Sequence, residues 1–111
     1  MDHTEIARLI ENLEAEVNNG GFDQFFYNSA GDNARETILA LETIEAGTTA
    51  DIVKRAAAKF PDGMPPQDRY KRQELLLSRV SPASDAFDEL DAEFYGYPDN
   101  LSELLAKYGS E

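Results

Sequence analysis

Paired glycines and closely spaced phenylalanines distinguish residues 18–31, which read Asn18-Asn19-Gly20-Gly21-Phe22-Asp23-Gln24-Phe25-Phe26-Tyr27-Asn28-Ser29-Ala30-Gly31. Phe22, Phe25 and Phe26 recur at intervals of three and four, the spacing of one face of an α-helix. Glycines commonly end helices, and they stand on both sides of the phenylalanines. The stretch therefore predicts a short aromatic helix with a break at each end and its phenylalanines in the core.

Helical spacing continues on both sides of this stretch. Upstream, an apolar stripe from Ile6 to Val17 predicts a helix that begins after Asp2, which forms a plausible capping box with Glu5, and ends at Gly20-Gly21. No segment of useful length alternates with period two, so the sequence predicts an all-α fold, a single compact bundle of six or seven short helices over residues 1–111. The remaining helices are predicted over 34–45, 48–60 (capped by Thr48-Thr49), 68–80, 87–95 and 101–108 (capped by Asp99 or Asn100), with a proline loop at 61–66.

The chain is strongly acidic, and its charge is unevenly distributed. It carries 22 Asp and Glu against 10 Lys and Arg, a formal net charge of −12. Residues 1–47 contain ten acids and two bases, residues 48–80 four acids and seven bases, and residues 81–111 eight acids and one base. A field of this sign repels nucleic acid and anionic membranes and attracts cations. The predicted partner is therefore a basic protein, with no direct binding of nucleic acid or membrane.

Few residues of the chain are suited to catalysis or metal binding. The sequence has no cysteine, and its one histidine, His3, stands beside the N-terminus, where an incidental surface position is expected. It lacks a nucleophile elbow and a phosphate-binding glycine loop, and the acidic run 88–93 lacks the spacing of a calcium loop. We expect no enzyme, no cofactor and no metal. One enzymatic hypothesis stays open, a polar pocket around Gln24, Tyr27 and Asn28.

Carboxylates follow the faces of two predicted helices without lysines to pair them. On the first helix they flank the apolar stripe on both sides, and on the helix after residue 85 they cover most of the outward face. Like charges at i, i+4 cost a few tenths of a kcal/mol each, and their Cβ atoms stand about 5–6 Å apart, similar to successive phosphates of a nucleic-acid strand. Rows of this kind fit a groove built for phosphates, although a merely solvated face explains them too. The predicted partner-binding face comprises Glu5, Glu11, Glu14, Glu16, Asp85, Asp88, Glu89, Asp91 and Glu93.

The glycine–phenylalanine stretch resembles the signature of the DNA-mimic protein family, small helical bacterial domains that mostly have no assigned function. The likeness extends over about residues 5–108 and includes the acidic run 87–95 and the apolar residues of 101–108. It implies an all-α fold and an acidic surface that occupies the DNA site of a DNA-binding protein or transcription regulator. The motif residues themselves are expected to be mainly structural: Gly20, Gly21, Phe22, Gln24, Phe25, Phe26, Asn28 and Gly31.

Several properties stay open at this point. An immunity-type or other antagonist of a basic protein would carry the same charge as a DNA mimic, and the chain is expected to act as a monomer or a homodimer. The absence of a signal peptide and of a long apolar run predicts a cytoplasmic location. The position of the bases in 54–79 bears on the hypothesis of mimicry, because bases beside the acidic helices weaken it. Read alone, this basic cluster predicts a solvated helix face.

Overall fold

The computed structural model describes residues 1–110, which contain six α-helices and no strand. Three short turns join them: 3-10 turns at Ser29–Asn33 and Pro61–Gly63, and a π-helical turn at Leu76–Val80. The predicted all-α bundle is confirmed. The helices are α1 His3–Tyr27, α2 Ala34–Thr43, α3 Gly47–Ala57, α4 Arg69–Leu75, α5 Asp88–Tyr95 and α6 Leu101–Gly109.

The two adjacent glycines kink α1 instead of ending it. Gly20 (φ −159°, ψ 18°) and Gly21 (φ 72°, ψ −171°) leave helical geometry, and the helix resumes at Phe22. The dihedral angles of Gly21 are open to glycine almost alone. The predicted break is therefore in place, but the first helix and the aromatic helix are two segments of one 25-residue helix.

Phenylalanines from α1 and α5 form the centre of the core. Phe22, Phe25 and Phe26 have no exposed surface, as their spacing predicts. The ring of Phe26 lies 5.4 Å from that of Phe87, and the ring of Phe22 lies 6.0 Å from that of Phe94. This packing holds the segment of α1 after the kink against α5.

Polar contacts show that α1 and α5 run antiparallel. Asp91 Oδ1 accepts a hydrogen bond of 2.8 Å from the backbone N–H of Phe22. Further along the chain, the Tyr95 hydroxyl donates to the carbonyl of Val17 at 2.9 Å. The Tyr97 hydroxyl donates to Glu14 Oε2 at 2.9 Å. Later residues on and just after α5 thus meet earlier residues of α1, and we call this line of contact the α1–α5 seam.

Side-chain caps agree with the sequence at α1 and α6 and differ at α3, and α4 has a cap for which there was no prediction. Asp2, Asp68 and Asn100 accept hydrogen bonds from backbone N–H groups in the first turns of α1, α4 and α6. The predicted Thr48-Thr49 cap is wrong, because α3 begins at Gly47 without a cap from its own segment. Instead, Asp99 Oδ2 accepts from the N–H (2.7 Å) and the hydroxyl (2.9 Å) of Thr49. A carboxylate from the α5–α6 turn is a stronger acceptor than a threonine hydroxyl.

His3 connects the start of α1 to α6. Its Nε2 lies 3.2 Å from the carbonyl oxygen of Leu105, and its ring stacks on Tyr108 with 6.2 Å between centroids. The expected surface position of His3 is confirmed, because its side chain is exposed. The position is not incidental, however, since the ring contacts α6.

Candidate functional site

Three acids at the start of α5 point into solvent. Leu90 and Phe94 are buried, which turns Asp88 and Glu89 outward, and Asp85 is exposed just before the helix. Within residues 1–110, none of these three carboxylates has an ion-pair or hydrogen-bond partner.

A fourth acid, which the sequence argument did not select, lies beside them. Burial raises the pKa of Asp23, and the nearby charges of Asp88 and Asp85 raise it further. Asp23 stands in the turn after the α1 kink, so the kink brings it to the start of α5. We call Asp23, Asp85, Asp88 and Glu89 the acidic patch. The only sequence signal for Asp23 was its place inside the glycine–phenylalanine motif.

Three of the predicted acids are engaged within the molecule. Glu16 Oε2 accepts hydrogen bonds from the side-chain amides of Gln24 (2.8 Å) and Asn28 (2.9 Å), which ties together the two segments of α1. Glu93 binds both guanidinium nitrogens of Arg55, at 2.7 and 2.9 Å, and this hydrogen bonding lowers the pKa of Glu93. Asp91 holds the N–H of Phe22, as described above. Their part in partner binding stays a prediction, and each has a structural role.

The remaining acids of α1 lie towards its other end. Glu14 accepts from Tyr97 at the seam, whereas Glu5 and Glu11 are exposed without a side-chain partner in the described chain. Glu16 is turned towards Gln24 and Asn28, away from the side of α1 that meets Tyr97. The nine predicted acids therefore do not form one continuous face, and the seam connects only those near α5.

The bases of residues 54–79 are dispersed instead of forming one cluster. Arg55 lies beside α5, paired with Glu93 and with Asp51, and Lys59 lines a groove with Asp85 and Glu89. Lys54 pairs with Glu42 on α2. Two bases thus border the acidic patch on its α3 side and limit its extent there.

Arg72 is a core residue, so the prediction of a solvated helix face is wrong for it. Its side chain has no exposed surface and donates five hydrogen bonds. Nε donates to the carbonyl of Phe26 (2.7 Å), and one terminal nitrogen reaches Asp32 Oδ1 at 2.6 Å. Hydrogen bonds from Arg69 and Arg72 lower the pKa of Asp32. The other acceptors of Arg72 are the carbonyls of Asn28, Pro66 and Gln67.

The polar residues Gln24, Tyr27 and Asn28 line one groove, together with Leu77. The side-chain amides of Gln24 and Asn28 both donate to Glu16, which holds them in place. Among the described residues there is no group of three or more acids or histidines placed to hold a metal ion, and no helix is long and apolar enough to cross a membrane.

The family model of the DMP19-like proteins matches residues 3–111. The chain belongs to this family. Its name stands for DNA mimic protein 19, and the resemblance suggested by the glycine–phenylalanine motif is confirmed. No curated protein and no solved structure matches the chain.

Gly21 and Gly31 of the motif lie where this DMP19-like chain has no room for a side chain. Gly21 adopts a glycine-only conformation, and a Cβ on it would collide with the carboxylate of Asp91. A Cβ on Gly31 would lie 2.7 Å from the carbonyl of Phe25 and 2.9 Å from Nε of Arg72. Both glycines are therefore required by close approaches, one to the seam and one to the buried arginine.

Substitutions of Asp91 test how much the α1–α5 seam stabilises this DMP19-like chain. Replacing Asp91 with alanine leaves the N–H of Phe22 without its acceptor, and we expect a loss of about 1–3 kcal/mol in the free energy of unfolding. Asp91→Asn keeps an acceptor and should cost less. Chemical denaturation followed by circular dichroism measures both, and equal midpoints for the alanine and asparagine variants would show that the hydrogen bond contributes nothing.

Asp91 and Asp32 affect the stability of the fold in opposite directions as the pH changes. Burial raises the pKa of Asp91, and the charges of Asp23 and Asp88 raise it further, although the Phe22 hydrogen bond lowers it. Because the folded pKa lies above the unfolded value near 3.8, the fold gains stability as pH falls through the folded pKa towards 3.8. Asp32 acts in the other direction and loses its contribution as pH falls below 3.8 through its folded pKa. Asp91→Asn should reduce the stability that is gained at Asp91 as the pH falls, and it should leave the stability that is lost at Asp32 unchanged.

Proposed function

We propose that this chain is a DNA mimic, which presents its acidic patch to the DNA-binding surface of a basic protein. The observation that carries the proposal is the set of three exposed carboxylates at the start of α5, Asp85, Asp88 and Glu89, without internal partners in the described chain. Asp88 and Glu89 are neighbours in the first turn of α5, and Asp85 lies three residues before Asp88, just ahead of the helix, so the three carboxylates gather at one end of α5.

The α1–α5 seam extends this group of carboxylates. Glu14 and Asp23 both stand on α1, one on each side of the Gly20-Gly21 kink. Asp91 of α5 lies against Phe22, the neighbour of Asp23, and Glu14 accepts from Tyr97. The seam thus adds carboxylates of both helices beside the acidic patch. They are fixed on two packed helices, so little conformational entropy is lost when a partner binds.

The raised pKa values of Asp23 and Asp91 fit the same role. Both carboxylates are partly buried and close to other acids, so their ionised forms are disfavoured in the free protein. A lysine or arginine brought to this surface relieves that repulsion, which favours a cationic partner. Arg55 and Lys59 border the patch on the α3 side, and we place the partner on the side away from them.

The partner we propose is a DNA-binding protein such as a transcription regulator. The test is capture from a bacterial lysate at low salt on immobilised chain, followed by elution with duplex DNA. We expect a DNA-binding protein to be retained and released by the duplex. The control is a variant with Asp85→Asn, Asp88→Asn and Glu89→Gln, which should retain far less of it.

Two outcomes would contradict the proposal. A partner that binds equally to the neutralised variant would show that the acidic patch is only a solvated surface. A basic partner that depends on the patch but neither binds DNA nor is displaced by it would identify an antagonist of the immunity type instead.

A further inference from the structure

A leucine is exposed on the π-helical turn next to the acidic patch. In this turn the N–H of Ser81 bonds to the carbonyl of Leu76 at 2.8 Å, five residues back, so the turn is wider than an α-helical one. Leu76 is buried below it, whereas Leu77 is 57% exposed. Turns of this type occur frequently at functional sites.

Leu77 faces the end of α1 across a groove of about 470 Å³. Tyr27 on the other wall is 44% exposed, and its carbonyl is bonded by Gln73 Nε2 at 2.8 Å, which fixes α4 against α1. The floor includes buried Leu76, and Asp23 of the acidic patch stands at one end. The groove therefore brings Leu76, Leu77 and Tyr27 next to the acidic patch, and the polar side chains of Gln24, Asn28 and Ser84 complete its lining.

We propose that this groove seats an apolar side chain of the partner, flanked in the partner by the lysines or arginines that contact the acidic patch. This inference rests on the proposed function, from which the positive charge of the partner follows. Charge complementarity favours this occupant. The groove opens beside Asp23, which lies close to the charges of Asp85 and Asp88. A purely apolar occupant would leave these three carboxylates without a positive partner. An apolar anchor gives a DNA mimic selectivity among basic proteins that charge alone does not provide.

Two synthetic peptides serve as the probe, each of 14 residues with six lysines, and differing only in a central Leu-Phe or Ala-Ala pair. We expect the Leu-Phe peptide to bind about tenfold more tightly in fluorescence anisotropy, and Leu77→Ala to abolish this preference. Leu39→Ala, at a leucine 52% exposed on α2, is the matched control and should keep it. Neutralising the patch should weaken both peptides alike. If Leu77→Ala fails to fold by circular dichroism, Tyr27→Ala provides the same test from the other wall.

Equal affinity for the two peptides, or a preference that survives both Leu77→Ala and Tyr27→Ala, would overturn the inference. So would a homodimer in analytical ultracentrifugation that dissociates on Leu77→Ala, since a second copy would then occupy the groove. If the proposed DNA mimicry is wrong but the groove inference holds, the preference for the Leu-Phe peptide persists, while duplex DNA does not displace the captured protein.

Discussion

Replacing the buried Arg72 with methionine is expected to lower the free energy of unfolding by about 3–5 kcal/mol. The variant removes all five hydrogen bonds that Arg72 donates in its buried site. The carbonyl of Phe26 and the carboxylate of Asp32 then lose the donors that Arg72 supplied. A domain of this size has a total stability of about 5–15 kcal/mol, so the loss is a large part of it. Chemical denaturation followed by circular dichroism measures the change.

Arg79 provides the control for this prediction. It is an exposed arginine on the π-helical turn, three residues after the buried Leu76, and it has no ion pair within residues 1–110. Arg79→Met should change the stability by no more than about 0.5 kcal/mol. Arg72→Lys should fall between the two, because an ammonium group has three donors and lacks the planar fork. Equal midpoints for the Arg72 and Arg79 methionine variants would contradict the structural role of Arg72.

Neutralising the acidic patch is expected to weaken partner binding about 100-fold at low salt. The variant combines Asp85→Asn, Asp88→Asn and Glu89→Gln, and each lost charge pair contributes about 1 kcal/mol. Its affinity should also vary less with ionic strength than that of the wild type, since salt screens the contacts that the variant lacks. Titration of the purified partner at two salt concentrations measures both effects.

A second triple variant matches the change in net charge at another place. Glu45→Gln, Asp62→Asn and Glu74→Gln also remove three exposed acids, and none of them has an ion pair among the described residues. We expect this variant to bind within about threefold of the wild type, since distant charges are screened. If both triple variants lose the same affinity, overall charge and not the acidic patch determines binding.

The helices and the aromatic core were predictable because they depend on local spacing. Phe22, Phe25 and Phe26 recur at helical intervals, and Asp2 and Asn100 stand where a cap is expected. The sequence predicted a helix end at the correct two glycines. It did not predict that the helix continues beyond them through a kink. The angles of Gly21 allow continuation, and the phenylalanines beyond it pack on α5, which is a tertiary effect.

Long-range polar contacts were not predictable from spacing. Arg72 stands in a run of bases that is typical of a solvated face. Its burial depends on Asp32 and on four backbone carbonyls, those of Phe26, Asn28, Pro66 and Gln67. Asp99 likewise caps a helix 50 residues away. The signal that pointed to Arg72 in retrospect is Gly31, whose missing side chain leaves room for the guanidinium group.

The acidic site was predictable in part. The sequence located carboxylate rows on the helices that became α1 and α5, but helical periodicity does not distinguish a free acid from an engaged one. Glu16 and Asp91 accept hydrogen bonds from residues that follow the α1 kink, and Glu93 forms an ion pair with Arg55. Asp23 was missed because no periodic acidic row includes it, and it reaches the patch only through the kink.

Competition between the chain and duplex DNA for one purified partner tests mimicry most directly. A fluorescently labelled duplex is first bound to the DNA-binding protein that the chain captures, and the chain is then added in steps while the anisotropy of the duplex is followed. We predict complete release of the duplex by the wild type and little release by the patch-neutralised variant at equal concentration. A duplex that stays bound while the chain joins it in a ternary complex would show that the acidic face does not occupy the DNA site.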